Sequence, residues 1–247
     1  MIDVKKILKH LKTNKKIEVL DEVSSTNDYI KDADLDAVIA LSQSNGKGTN
    51  NRKFFSPKGG VYLSVKIKNP NFSAEKLSLV TPYFAVVTLK AIELVAKIKA
   101  EIKWVNDVYI KGKKVAGILC ESKIENDKIE YIVIGVGINV KKQNFPKFIL
   151  NSPTSIEEET NELIDYNRLI AELLKGANDL ERSILAKDFI SIYKENFYLL
   201  DKSVTAKING EEICGKVVGV DNNLNLQILR GNELLTFNNV SEITINK

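Results

Sequence analysis

The sequence predicts an α+β domain followed by a small β-barrel, and three observations carry that expectation. Up to residue 200, stretches with helical apolar spacing interleave with stretches of strand-like alternation. Past Leu200 the texture changes to short alternating segments separated by turn residues. A chain of 247 residues is long enough for one substantial core and a smaller second one. The expected boundary falls near Asp201, dividing the chain into 1–200 and 201–247.

Val4, Ile7, Leu8 and Leu11 recur at helical spacing, so 3–16 reads as a short amphipathic helix. Ile17 to Val23 alternates like a strand. Ser24-Ser25-Thr26-Asn27 then supplies hydroxyls and an amide suited to capping a helix through Tyr29 and Ile30. Ala37 to Leu41 is a short apolar strand. Ser42 to Lys58 is rich in Gly, Asn, Ser and Lys without a hydrophobic period, which predicts a long loop of the kind that is usually functional or disordered. Val61 to Ile67 alternates again. Ser73 stands where it would cap a long helix through Lys97, with Leu77, Val80, Phe84, Val87, Ala91, Leu94 and Val95 on the buried side. Pro82 within it implies a kink or a late start.

Strands are expected at Glu101–Trp104, Asp107–Ile110, Val115–Ile124 and Lys128–Val140, with turns at Lys111-Gly112 and Asn126-Asp127. Helical periodicity returns over Thr154–Asn161 and Tyr166–Phe197. The barrel strands are Val204–Ile208, Ile213–Val220, Leu224–Leu229, Leu234–Phe237 and Val240–Ile245. Asn209-Gly210, Asp221-Asn222-Asn223 and Gly231-Asn232 separate them.

Composition narrows the function classes. Hydrophobic residues at 44% and charged residues at 28% are ordinary for a globular protein. The 36 basic and 32 acidic residues leave a net charge of only +4, without the basic face that a nucleic-acid reader presents. The densest basic stretch, Lys5, Lys6, Lys9, Lys12, Lys15 and Lys16, fits an exposed helical N-terminus. Cys120 and Cys214 lie far apart and outside any CxxC pair, the pattern of reduced thiols. The N-terminus lacks the apolar core of a signal peptide, and charges interrupt each apolar run short of membrane-spanning length. A cytoplasmic protein with neither nucleic-acid nor membrane partner is expected.

Three segments are candidates for chemistry. The loop Gln43-Ser44-Asn45-Gly46-Lys47-Gly48-Thr49-Asn50-Asn51-Arg52-Lys53 combines backbone-permissive glycines with cations able to neutralise phosphate oxygens, without the Gly-Lys-Ser/Thr ending of a P-loop. A mobile surface connection is the plainer reading of that loop alone. Lys103-Trp104-Val105-Asn106-Asp107, followed by Lys113-Lys114-Val115-Ala116-Gly117-Ile118-Leu119, places a carboxylate in an apolar region, where an unpaired charge would be costly. A polar pocket accounts for it. Ile134-Gly135-Val136-Gly137-Ile138-Asn139 puts glycines inside an apolar strand, which marks close approach by a ligand or another backbone. No helix pattern follows, so the dinucleotide-binding reading fails.

In this order, Ser-Thr-Asn, Gln with the Gly/Lys loop and Ser56-Pro57, Lys-Trp-x-Asn-Asp, Lys-x-x-Gly-Ile-Leu and Gly-x-Gly-Ile-Asn, the motifs resemble the catalytic domain of biotin–protein ligases. The terminal segments resemble that family's SH3-like domain. The resemblance implies a mixed-sheet catalytic domain that uses ATP and Mg²⁺ to convert biotin to biotinyl-5'-AMP. The biotinyl group then passes to a lysine of a biotin carboxyl carrier protein. It also implies that Lys114 is the chief cation at the reacting carboxylate and α-phosphate, with Lys47 and Arg52 contributing from the loop. Asp107 would orient or deprotonate the incoming lysine. Ser25, Thr26, Asn27, Gln43, Gly46, Lys47, Lys114, Gly117 and Leu119 would hold biotin. Gly48, Thr49, Arg52, Trp104, Asn106, Lys114 and Asn139 would hold the nucleotide. The family also pairs through a sheet edge in many members, so a homodimer is a family-level expectation.

The departures are informative. The family loop reads Gly-Arg-Gly-Arg-x-Gly-Arg-x-Trp, whereas here Lys47, Thr49 and Asn51 replace two arginines and a glycine, and Phe54 ends it. Val105 replaces the usual proline. A thinned arginine loop predicts weaker retention of the adenylate. The two dozen or so residues ahead of Ser25 are too few for the DNA-binding domain that some members carry. A lipoate–protein ligase is disfavoured by the lack of an Arg-Arg-x-Ser-Gly-Gly-Gly run, and a binding protein without turnover by the presence of Lys114 and Asp107.

Overall fold

The computed structural model describes residues 2–146, 152–208 and 210–246. Asp3 caps helix α1 (Val4–Leu11) by accepting from the backbone N–H groups of Lys5 and Lys6, and Lys12, in the left-handed conformation, ends it well short of residue 16. Strand β1 (Ile17–Leu20) leads to α2 (Thr26–Asp32), capped by Ser25, and then to β2 (Ala37–Ala40) and β3 (Gly60–Lys68). The expected long helix is a 3-10 turn at Ala74–Leu79 followed by α3 (Val80–Ala96). Pro82 lies in the first turn of α3, where its missing N–H costs no helical bond, so the late start is what occurs. Ser73 precedes the 3-10 turn without a side-chain capping bond. The 74–96 stretch has the length and hydropathy to cross a membrane, with Lys90 and Glu93 interrupting it, and 67% of its most apolar window is buried inside the protein as a core helix.

Strands β4 (Glu101–Lys103), β5 (Asp107–Ile110), β6 (Lys113–Glu125) and β7 (Lys128–Asn139) complete the first sheet. Its order is β1-β2-β3-β7-β6-β5-β4, parallel only between β1 and β2 and therefore mixed. Helix α4 (Ile156–Thr160) follows. The expected helix over 166–197 is broken into α5 (Tyr166–Ala186) and α6 (Ile190–Glu195), because Lys187 adopts the left-handed conformation that ends α5. Strands β8 (Ser203–Ile208), β9 (Glu211–Val220), β10 (Leu226–Arg230), β11 (Glu233–Phe237) and β12 (Glu242–Ile245) form a separate antiparallel sheet, β11-β10-β9-β8-β12, the SH3-like unit. Asn209 of the expected Asn209-Gly210 turn lies outside the described residues.

The two faces of the first sheet are treated differently. Ala37, Ile39, Leu63, Val65, Ile134, Val136 and Ile138 join Phe84, Leu89, Leu173 and Leu180 of α3 and α5 in the main core. On the opposite face, alternation brings up Val38 and Val133, which pack on Ile30 of α2. Beyond that small cluster the second face carries Gly117, Gly135 and Gly137 on β6 and β7, and a cavity lies over this part of the sheet.

Candidate functional site

The cavity has a volume of about 710 Å³ and is floored by side chains of one sheet row. Lys103, Asp107, Gly117, Gly137 and Tyr62 are successive cross-strand neighbours on β4, β5, β6, β7 and β3. A Cβ at Gly137 would stand 2.6 Å from the Phe54 ring, and one at Gly135 would run into the Asn27 amide. The glycines therefore do mark close approach, and in this structure side chains of the chain itself make it. Phe54 was not singled out in the sequence, although an aromatic closing a polar loop was a usable signal.

Lys114 reaches this face through a bulge. The β5–β6 register shifts between Val108 and Tyr109, so Val115 and Ala116 both bury in the core and Lys114 returns to the side of Gly117. Its Nζ lies 2.6 Å from Asp107 Oδ1, an ion pair poorly aligned as a hydrogen bond, with both side chains largely buried. The same Nζ stands 5.9 Å from the centre of the Phe54 ring.

The turn into α2 builds a hydrogen-bonded cluster. Gln43 Oε1 accepts from the Thr26 backbone N–H at 2.8 Å and lies 3.0 Å from Thr26 Oγ1, while Gln43 Nε2 donates to Ser56 Oγ at 3.0 Å. Ser64, fully buried on β3, stands 2.8 Å from Thr26 Oγ1 and 2.6 Å from Asn27 Oδ1, and its one proton serves one of them. Asn27 Nδ2 donates to Glu121 at 2.8 Å. Ser25, Thr26 and Asn27 are buried at the cavity wall. Ser64 and Tyr62 were missed in the sequence, although a serine within an apolar alternating strand was visible.

The Gly/Lys loop is folded on itself and anchored at both sides. Gly48 N–H donates to the Arg52 carbonyl at 2.7 Å and Phe54 N–H to the Gly46 carbonyl at 2.8 Å. Asn50 and Asn51 have φ of 55° and 58°, a region that asparagine enters more readily than most non-glycine residues. Asn51 thus holds a backbone shape that glycine would also adopt without strain. Asn50 Nδ2 and an Arg52 guanidinium nitrogen donate to the Ser241 carbonyl at 3.0 and 3.2 Å, and Arg52 lies 3.8 Å from Glu242. Lys47 pairs with Asp28 at 2.7 Å. Burial acts to raise the pKa of Asp28, but hydrogen bonds from Lys47 and Lys31 outweigh it and hold the carboxyl below its usual value. Gly46 borders not the main cavity but a shallower depression of about 380 Å³, and a Cβ there would meet the Phe54 carbonyl and Ser56 Oγ at 2.5 Å.

Trp104, Asn106 and Asn139 also border the main cavity, with part of their polarity already committed. Trp104 Nε1 donates to the Leu224 carbonyl at 2.8 Å, tying the first sheet to the SH3-like unit. Asn106 Nδ2 donates to the Ile118 carbonyl at 3.0 Å and holds β6 in place. Asn139 Nδ2 donates to the Thr154 carbonyl at 3.0 Å, while its buried Oδ1 has no partner among the described residues. That oxygen is an acceptor waiting for a donor.

Lys47, Arg52, Lys53, Lys103 and Lys114 line the cavity against two carboxylates, Asp107 and Glu242, so it favours an anionic ligand. Lys103 belongs to a candidate segment of the sequence but was given no role there, and Glu242 was not singled out. Among the described residues no three His, Cys, Asp or Glu side chains gather to hold a metal.

Residues 19–139 match the model of the biotin/lipoate A/B protein ligase family. The chain is 33% identical over 190 residues to the bifunctional ligase/repressor BirA of Bacillus subtilis, covering 74% of this chain and 58% of that protein. It therefore spans a little over half of that relative's length. With BirA of Escherichia coli it shares 31% identity over 232 residues, covering 90% of this chain and 71% of the relative. The biotin protein ligase of Aquifex aeolicus, solved in complex with biotin and ATP, superposes with a TM-score of 0.81 at 27% identity, over 95% of this chain and 100% of that one.

Proposed function

Since the chain belongs to the biotin protein ligase family, we propose that it activates biotin with ATP and passes the biotinyl group to one lysine of a biotin carboxyl carrier protein or domain. One observation carries this reading. A single cavity brings together the Lys114–Asp107 pair, the loop cations Lys47 and Arg52, and the Ser25–Thr26–Gln43 cluster. The likeness to a ligase holding biotin and ATP supports it.

In the first step a biotin carboxylate oxygen attacks the α-phosphorus of ATP. The phosphorus–oxygen bond to the β-phosphate breaks and pyrophosphate leaves with the electron pair. Two anions must meet, so fixed positive charge dominates the catalysis. Lys114 exchanges Asp107 for the substrate oxygens, and Lys47 and Arg52 supply charge from the loop. Mg²⁺ entering with the nucleotide would supply further positive charge, beside what Lys114, Lys47 and Arg52 provide. Ser25, Thr26, Asn27 and Gln43 hold the biotin head group, with Gly46 shaping the loop beside it. Gly117 and Leu119 present backbone to its length. Gly48 and Thr49 lie along the nucleotide, Trp104 and Asn106 wall its base, and Asn139 Oδ1 accepts from the adenine amino group.

In the second step the carrier lysine nitrogen bonds to the carbonyl carbon of the mixed anhydride. The bond from that carbon to the phosphate oxygen breaks, AMP leaves, and Asp107 takes the proton released by the amine. In this reading residues 1–200 do the chemistry, while 201–247 close the cavity through Ser241 and Glu242. The chain acts in the cytoplasm without contacting DNA. An absence of mobility shift with double-stranded DNA checks the last point.

The test is biotin-dependent exchange of labelled pyrophosphate into ATP, with wild type beside Lys114→Ala. Exchange that requires biotin and falls at least about a hundredfold in the variant is expected. Exchange with lipoate instead of biotin would move the chain to the other branch of its family. Tight biotin binding without exchange would make it a binding protein.

A further inference from the structure

Asp107 has two lysines beside it, and only one has a place in the chemistry above. Lys103 faces Asp107 directly across the β4–β5 pair, on the same face of the sheet. It is 9% exposed, borders the cavity, and its Nζ stands 5.7 Å from the centre of the Tyr109 ring. Lys114 reaches Asp107 from the other flank at 2.6 Å. Lys103, Asp107 and Lys114 thus form a partly buried row of alternating charge at the cavity floor. Directly opposed strand residues lie about 4.5–5.5 Å apart at Cβ, close enough for their charges to couple strongly.

We propose that Lys103 is a positioning residue that keeps Asp107 ionised and in place when Lys114 turns to the substrate anions. This rests on the ligase reading. A carboxylate enclosed as Asp107 is pulls its cation back once its counter-charge leaves. Lys103 sits on the rigid sheet next to the carboxylate and supplies the second cation that frees Lys114 to move. The charges around the pair are Lys114, Lys202 and Glu242, with the Tyr109 and Tyr193 phenols beside Asp107. Burial lowers the pKa of Lys103 and Asp107 raises it again, the coupling that such an arrangement requires.

Lys103→Met and Lys103→Arg, assayed in both half-reactions, separate this role from others. Transfer of biotin from preformed adenylate to a lysine peptide should fall about tenfold to a hundredfold in Lys103→Met. The acidic limb of its pH profile should move upward, Arg should restore most of the rate, and pyrophosphate exchange should fall less than transfer. Equal losses in both half-reactions would place Lys103 on the nucleotide phosphates and overturn the proposal, as would a fall without a change in pH profile. A second measurement is independent of turnover: NMR titration of the Lys103 ammonium in wild type and Asp107→Asn. Its deprotonation should move to lower pH in the variant. An unchanged titration would overturn the proposal even in a competent ligase, whereas a shift beside absent pyrophosphate exchange would fault only the ligase reading.

Discussion

Lys47 Nζ sits 2.7 Å from Asp28 Oδ1, and Lys31 approaches the same carboxylate oxygen at 3.3 Å. The loop's first cation is therefore already neutralised before any substrate enters, and an incoming anion has to displace Asp28. Both partners are about 40% exposed, 39% for Lys47 and 44% for Asp28, so the pair is screened and worth about 0.2–1 kcal/mol. Asp28→Asn should accordingly lower the KM for ATP in pyrophosphate exchange by roughly twofold to fivefold. An unchanged or higher KM would show that Asp28 does not compete for Lys47.

Gly137 is a glycine because Phe54 needs the space. A methyl group there would lie 2.6 Å from the ring, which Gly117 and Tyr62 also border. Gly137→Ala should cost about 1–3 kcal/mol of stability and push the ring into the cavity, weakening biotin binding. Adding Phe54→Ala should recover most of the binding, read by calorimetric titration of both variants. Without that recovery, Phe54 is not what excludes a side chain at 137.

These relationships mark what the sequence does and does not reveal. Alternation exposed the strands because each buries a continuous apolar face, and the helix caps at Asp3, Ser25 and Asp165 are made by residue types with local donors to satisfy. The 187 break was hidden because Lys187 in the left-handed conformation leaves no compositional trace in an amphipathic pattern. The β6 bulge was equally hidden. Strict alternation from Gly117 would aim Lys114 at the core, and only the pairing with β5 shows the extra residue that re-aims it. Lys103 opened a motif visible in the sequence but received no role there, and Glu242 was not noticed, because their importance lies in what they face across strands and between units.

Glu159 gives the site's flank a pH dependence. Its carboxylate accepts from Lys113 Nζ at 3.0 Å and Thr154 Oγ1 at 2.8 Å, holding the segment that passes Asn139. Burial alone would raise its pKa, but the bonds from Lys113 and Thr154 prevail and lower it below 4.5. A carboxylate lowered on folding contributes stability that is full above the unfolded pKa and is lost as pH falls through the folded one. Glu159→Gln should therefore be less stable than wild type by about 1 kcal/mol at pH 7. The difference should vanish as pH drops below 4.5 toward the folded value, as urea midpoints at both pH values will show. A difference that persists in acid would assign the effect to packing.

Asn51 and Thr49 are departures of different kinds within one loop. Asn51, at φ 58°, occupies a left-handed conformation that glycine adopts freely, so Asn51→Gly should change stability and nucleotide affinity little. Asn51→Val should strain the loop by about 1–3 kcal/mol and loosen the anchoring of its neighbours Asn50 and Arg52 on Ser241. Thr49 instead borders the cavity with a neutral side chain, so what it lacks is charge rather than shape. A hydrogen bond to a charged group contributes roughly 1.5–3 kcal/mol, so Thr49→Arg should slow release of preformed biotinyl-5'-AMP by about tenfold to a hundredfold. The off-rate followed by fluorescence after mixing with excess unlabelled ligand decides it. If Thr49→Arg leaves that rate unchanged while Asn51→Val raises it, loop shape and not charge governs retention of the intermediate.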